Sequence, residues 1–136
     1  MKKEETRRTV NEYFELVYEG AGPASIASLF SEDVDFFIPG NVDLVPWIGR
    51  RKGRDGITHF IRDLRALTEP ISFNIHTTVV EGGKAVALGH LETRVKSTGN
   101  VIDSDFAFEF TVKDSLITRF QIYEDSFAVA QAVTSG

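Results

Sequence analysis

The sequence predicts one α+β domain over residues 1–136, with helices packed on one face of a bent antiparallel sheet around an apolar pocket. Two changes of pattern and one feature of composition point there. Apolar residues recur with a helical period up to Leu67 and with a period of two from Ile71 onward, and Gly- or Asp-containing turns separate the later segments at short intervals. A composition of 42% hydrophobic and 11% aromatic residues is enough for a core, and also for a hollow one.

The elements follow in order. Val10, Tyr13, Phe14, Val17 and Tyr18 share one face of a helix over residues 4–19, which Gly20 and Gly22 end. Pro23 suits a first helical turn, and Ile26, Ala27, Leu29 and Phe30 predict a short second helix closing near Ser31. Residues 34–38 have strand composition and stop at Pro39-Gly40, and a loop from Asn41 to Lys52 carries Trp47. Ile57, Phe60, Ile61, Leu64 and Leu67 give a third helix from about Asp55, with Asp55 as a candidate N-cap. Four strands should then form a meander. Phe73, Ile75, Thr77 and Val79 alternate along the first, Gly82-Gly83 turns into Lys84–Val95, Phe106, Phe108 and Phe110 stripe the third, and Leu116, Phe120 and Ile122 match that stripe. A final helix is expected from Ser126 to Val133.

Composition excludes several classes of function. A net charge of −5 with scattered basic residues argues against a nucleic-acid surface, and no apolar run is long enough to span a membrane. A cytoplasmic protein is expected. No cysteine is present, so thiolate nucleophiles, thiolate metal sites and disulfides are ruled out. The three histidines and the carboxylates show no recognised metal-ligand spacing, and no glycine-rich phosphate loop is present. The sequence thus calls for neither metal nor cofactor.

The strand Lys84–Val95 holds the most suggestive pattern. One of its faces carries Val86, Leu88, His90, Glu92 and Arg94, an apolar row turning polar halfway, and this face is expected to look into the pocket. There His90 and Glu92 would form an acid/base pair; the alternative is a structural polar pair at a cavity mouth or on an outer, dimer-forming face. Asp125 is an acid/base candidate or the N-cap of the last helix. Tyr13 either turns its hydroxyl to a ligand oxygen or belongs to the core. Trp47, Phe36, Phe108, Val17 and Ile122 are the expected walls of the pocket.

Several local motifs, in their order along the chain, resemble the NTF2-like superfamily and within it the SnoaL-like polyketide cyclase and ketosteroid isomerase-like group. They are Tyr13-Phe14-Glu15-Leu16-Val17, the run Leu29 to Val34, Pro46-Trp47-Ile48-Gly49 followed by Gly53 to Ile57, and Phe106 to Phe110 with Ile122 to Ser126. The resemblance implies a cone, a curved antiparallel sheet packed against three helices and enclosing an apolar pocket. Tyr13 matches the oxyanion-donor tyrosine of the isomerases. Their general-base aspartate would fall near Ile38 and their second oxyanion acid near Phe106, both hydrophobic here, so that route to steroid isomerisation is missing. Limonene epoxide hydrolase-like members use Arg-x-Asp on a central strand, where this chain has His90-Leu91-Glu92. SnoaL-like cyclases carry an acid/base aspartate near the end of the last strand, for which Asp125 is the nearest match within a residue of register.

Together these imply a cofactor-independent acid/base enzyme of cyclase, isomerase or hydrolase type, acting on a small, apolar, carbonyl-bearing molecule. A non-catalytic ligand-binding or dimeric assembly module is the alternative. The mixed polar face of the sheet, with Thr93, Asp105, Glu109, Arg119 and Tyr123, is the expected surface of a homodimer.

Overall fold

The computed structural model describes residues 2–134 and has the expected α+β architecture, a curved six-stranded sheet with four helices against it. Chain order is α1 (Lys2–Glu19), α2 (Pro23–Ala27), β1 (Phe30–Ile38), β2 (Gly49–Lys52), α3 (Gly53–Leu67), β3 (Thr68–Glu81), β4 (Lys84–Val95), β5 (Val101–Lys113), β6 (Leu116–Glu124) and α4 (Ser126–Ala132). The sheet order is β2-β1-β6-β5-β4-β3. Strands β3 to β6 form the expected meander. The sheet is mixed, because β1 runs parallel to β6.

Three differences at the N-terminal end have simple causes. Phe30 opens β1 rather than closing α2, since its ring is fully buried among Tyr13 and Phe120. Strand β2 was not expected because Gly-Arg-Arg-Lys offers no apolar alternation; it pairs with β1, where Arg50 bonds Asp35 at 2.5 Å and lies 4.6 Å from the Phe37 ring centre. Helix α3 starts two residues before Asp55, so Lys52 is its N-cap residue and no side chain caps it.

Helix α1 ends in a Schellman turn. Gly20, at φ 75°, donates to the Val17 carbonyl and Ala21 to that of Leu16, at 3.1 and 2.9 Å. Near its start the Thr6 hydroxyl donates to the Gly82 carbonyl at 2.8 Å, fastening the helix to the β3–β4 turn.

Strand β4 faces the opposite way from the expectation. Ala85, Ala87, Gly89 and Leu91 point into the core, and Val86, Leu88, His90 and Glu92 point outward. The cause is volume. Ala85, Ala87 and Gly89 stand directly opposite Phe110, Phe108 and Phe106 on β5, and only small residues leave room for that row of rings. At Gly89 even a Cβ would collide with the Asn74 carbonyl and the Phe106 ring. The alternation of β3 also changes face. A register shift between Ile75 and Thr77 leaves Phe73 and Ile75 opposite inward Leu91 and Gly89, and then Thr78 and Val80 opposite inward Ala87 and Ala85. Thr77 and Val79 therefore lie on the outer face, where Val79 is 56% exposed.

Among the described residues no helix is long and apolar enough to cross a membrane.

Candidate active site

The concave side of the sheet, closed by α1 and α3, encloses a cavity of about 620 Å³. That size suits a small organic ligand. Its deep end is made by Ile38, Trp47, Ile102 and Ile122, each at most 4% exposed. Its mouth lies between the end of α1 and the start of β3, where Val17, Tyr18 and Ile71 are 36%, 85% and 47% exposed. The wall is aromatic and aliphatic with few polar groups, notably Glu124, Tyr13, Arg65, Thr68 and Thr93.

Glu124 dominates the chemistry. Along β6 the alternation that buries Phe120 and Ile122 brings Glu124, the last strand residue, onto the same inward face. Burial in the apolar wall pushes its carboxyl up to about 7, and among the described residues no charge or hydrogen bond offsets that. The strand end is held in place by Ser104, whose Oγ accepts the Asp125 backbone N–H at 2.9 Å. A carboxyl with these properties is half protonated near neutral pH. It can therefore give or take a proton there.

The expected pair His90–Glu92 does not line this cavity, because β4 turns that face outward. His90 instead bridges two carboxylates of β5, with Nε2 2.6 Å from Asp103 and Nδ1 2.8 Å from Asp105. The bond to Asp105 is the main cause of its raised pKa; desolvation opposes it, and Asp103 adds to the rise. Glu92 accepts a hydrogen bond from the Ser72 hydroxyl at 3.2 Å, not from His90.

Asp125 is turned away from the pocket and caps α4, accepting the Ala128 N–H at 3.0 Å. Phe36 does not reach the cavity either. It is fully buried behind the wall, packed on Phe60 and Phe120 at 4.5 and 5.4 Å between ring centres. Tyr13, Trp47, Phe108, Val17 and Ile122 do line the cavity. Glu124 and Arg65 went unrecognised in the sequence. The period-two step Phe120, Ile122, Glu124 was the available signal for the first; nothing in the helical pattern marks Arg65. Among the described residues no group of three or more His, Asp or Glu is placed to hold a metal ion.

A curved sheet closed by helices around an apolar pocket is the architecture of the NTF2-like fold. The family model for the SnoaL-like domain matches residues 10–120, and the chain belongs to that family. Among solved structures, an NTF2-like protein from Burkholderia xenovorans LB400 is 25% identical, with a TM-score of 0.88 over 98% of this chain and 99% of that one. A candidate SnoaL-like polyketide cyclase from Mesorhizobium loti is 18% identical, with a TM-score of 0.70 over 86% and 97% of the two chains. A hypothetical protein with a ketosteroid isomerase-like fold from Catenulispora acidiphila, crystallised with trimethylamine, is 16% identical, with a TM-score of 0.71 over 89% and 88%. Among curated proteins no sequence matches the chain.

Proposed function

We propose that the protein is a cofactor-independent enzyme that moves a proton on an apolar, carbonyl-bearing small molecule, with Glu124 as general acid/base. The observation that carries this is a lone carboxyl in an apolar cavity, raised by burial to about 7. Catalytic acids and bases work best with a pKa near the working pH, and desolvation is the usual way to bring a carboxyl there. As the carboxylate, Glu124 would take a proton from carbon next to a carbonyl. As the acid it would return the proton to another carbon or to oxygen, which is the shared step of isomerisation and of aldol-type cyclisation. Trp47, Phe108 and Ile122 exclude water from the reacting end.

The test is solvent-deuterium incorporation into a panel of apolar ketones and diketones, followed by mass spectrometry. Enzyme-dependent exchange is expected, with a loss of about a hundredfold or more in Glu124→Gln. Exchange that persists in Glu124→Gln would overturn the assignment. Absence of exchange with ligands that bind would favour a binding module without chemistry.

A homodimer through the outer face of the sheet belongs to the same proposal. Val79 and Tyr123 leave apolar surface exposed there, at 56% and 43%. Sedimentation equilibrium at micromolar concentration should return twice the chain mass, and the mass of one chain would refute it.

A further inference from the structure

The cavity has a second polar end. Tyr13 is only 4% exposed, its ring edge-on to Phe30, Phe110 and Phe120 at 5.2 to 5.8 Å between centres, and it lines the cavity. No hydrogen bond within the described residues engages its hydroxyl. Burial holds its pKa well above the usual phenol range, against a smaller lowering by Arg65, so the hydroxyl remains a donor.

Arg65 stands at the rim of the same cavity and is the only cationic side chain in its wall among the described residues. Its Nη1 donates to the Ala21 carbonyl at 2.6 Å, the carbonyl presented by the Schellman turn that ends α1. No carboxylate pairs with the guanidinium among the described residues, so its remaining N–H donors, exposed at the rim, are open to a ligand. A cation at the rim and a buried neutral donor in the same cavity wall make a receptor for an oxyanion.

We propose that this end of the cavity is a carboxylate site, in which Arg65 and Tyr13 Oη donate to the oxygens of an otherwise apolar organic acid whose other end reaches Glu124. One positive charge and one neutral donor match a monoanion, whereas a phosphate dianion would find no second cation in the wall. Phe120, against which Tyr13 packs, lies four residues before Glu124 on β6, so the acid proposed here has an apolar body between its carboxylate and the end that reaches Glu124. The inference rests on the functional proposal only for what happens at Glu124. The anion site stands or falls by binding.

The experiment compares acids with their uncharged counterparts. Decanoate, 4-phenylbutanoate and 2-naphthylacetate, each beside its methyl ester and primary amide, are titrated into the protein while the fluorescence of Trp47, the single tryptophan and part of the cavity wall, reports occupancy. At least one acid should bind about tenfold or more tightly than its ester and amide, as a charge-assisted pair predicts. Arg65→Gln should erase that preference, Arg65→Lys should restore part of it, and Tyr13→Phe should weaken the acid more than the ester. Equal affinities within every pair in the wild type, no binding of any acid, or a preference that survives Arg65→Gln would overturn the site. Two readouts separate the proposals: an acid preference retained in Glu124→Gln upholds the carboxylate site whatever Glu124 does, and wild-type protein that binds these acids yet exchanges no protons with any ligand refutes the catalytic proposal alone.

Discussion

Two groups on opposite faces of one sheet have their pKa raised, and for opposite reasons. Glu124, on the concave face, is raised because water has been removed and nothing has replaced it. His90, on the convex face, is raised because Asp105 and Asp103 take both ring nitrogens while the side chain stands 43% exposed in water. The first group has its hydrogen-bonding capacity free and directed at a cavity; the second has spent it on neighbours. A displaced pKa alone therefore does not mark a catalytic group. Its cause does.

Substitutions can break or sharpen this contrast, beginning with the one that decides which face is which. Gly89→Val places a side chain on the crowded inner face against Phe106 and the Asn74 carbonyl, and should cost about 3 kcal/mol, the upper range of overpacking. Leu88→Ala, one residue away on the outer face, should cost under about 1 kcal/mol in the same urea titration. The reverse order would mean that β4 is turned over and that His90 faces the pocket after all.

Next in size is the stability hidden in Glu124. An acid whose folded pKa exceeds its ordinary value of 4.5 keeps its proton in the native state while the unfolded chain has lost it, so stability falls as pH rises from about 4.5 to about 7 and stays low above. Glu124→Gln should therefore gain about 2 kcal/mol at pH 8 and almost nothing near pH 4.5, after discounting for the part of the side chain that stays wet. Equal effects at both pH values would place the carboxyl in water. Asp125→Ala is smaller, a loss of about 1 kcal/mol for a helix N-cap, read by chemical denaturation. His90 should give the smallest change, a fall with rising pH like that of Glu124 but in a higher pH window. Its raised pKa adds stability that is complete below 6.5 and lost as pH rises through the folded value, so His90→Gln should flatten that part of the thermal-stability profile.

The fold was legible wherever apolar period and turn chemistry agreed. Phe106, Phe108 and Phe110 marked a core strand, Gly82-Gly83 a hairpin, and Tyr13 with Val17 a helix lying on the sheet. The site was less legible, because its orientation depends on volume and not on polarity. Both faces of β4 begin apolar, and the larger Val86 and Leu88 suggest a core more strongly than Ala85, Ala87 and Gly89, although the small residues are the ones that fit beneath three phenylalanines. His90 and Glu92 were carried outward with that face. At the end of β6 the local cue was strong but pointed one residue too far: Asp125 has the cap position before a helix, while strand alternation gives Glu124 the cavity. Arg65 was invisible because its place depends on the Ala21 carbonyl, 44 residues earlier in the chain.

Proton transfer by Glu124 requires a desolvated acid poised near neutrality. The most direct measurement is a pH titration of its side-chain carboxyl carbon by NMR in protein labelled with ¹³C-glutamate, assigned by its disappearance in Glu124→Gln. A midpoint near 7 is the predicted result. A midpoint near 4.5 would contradict it.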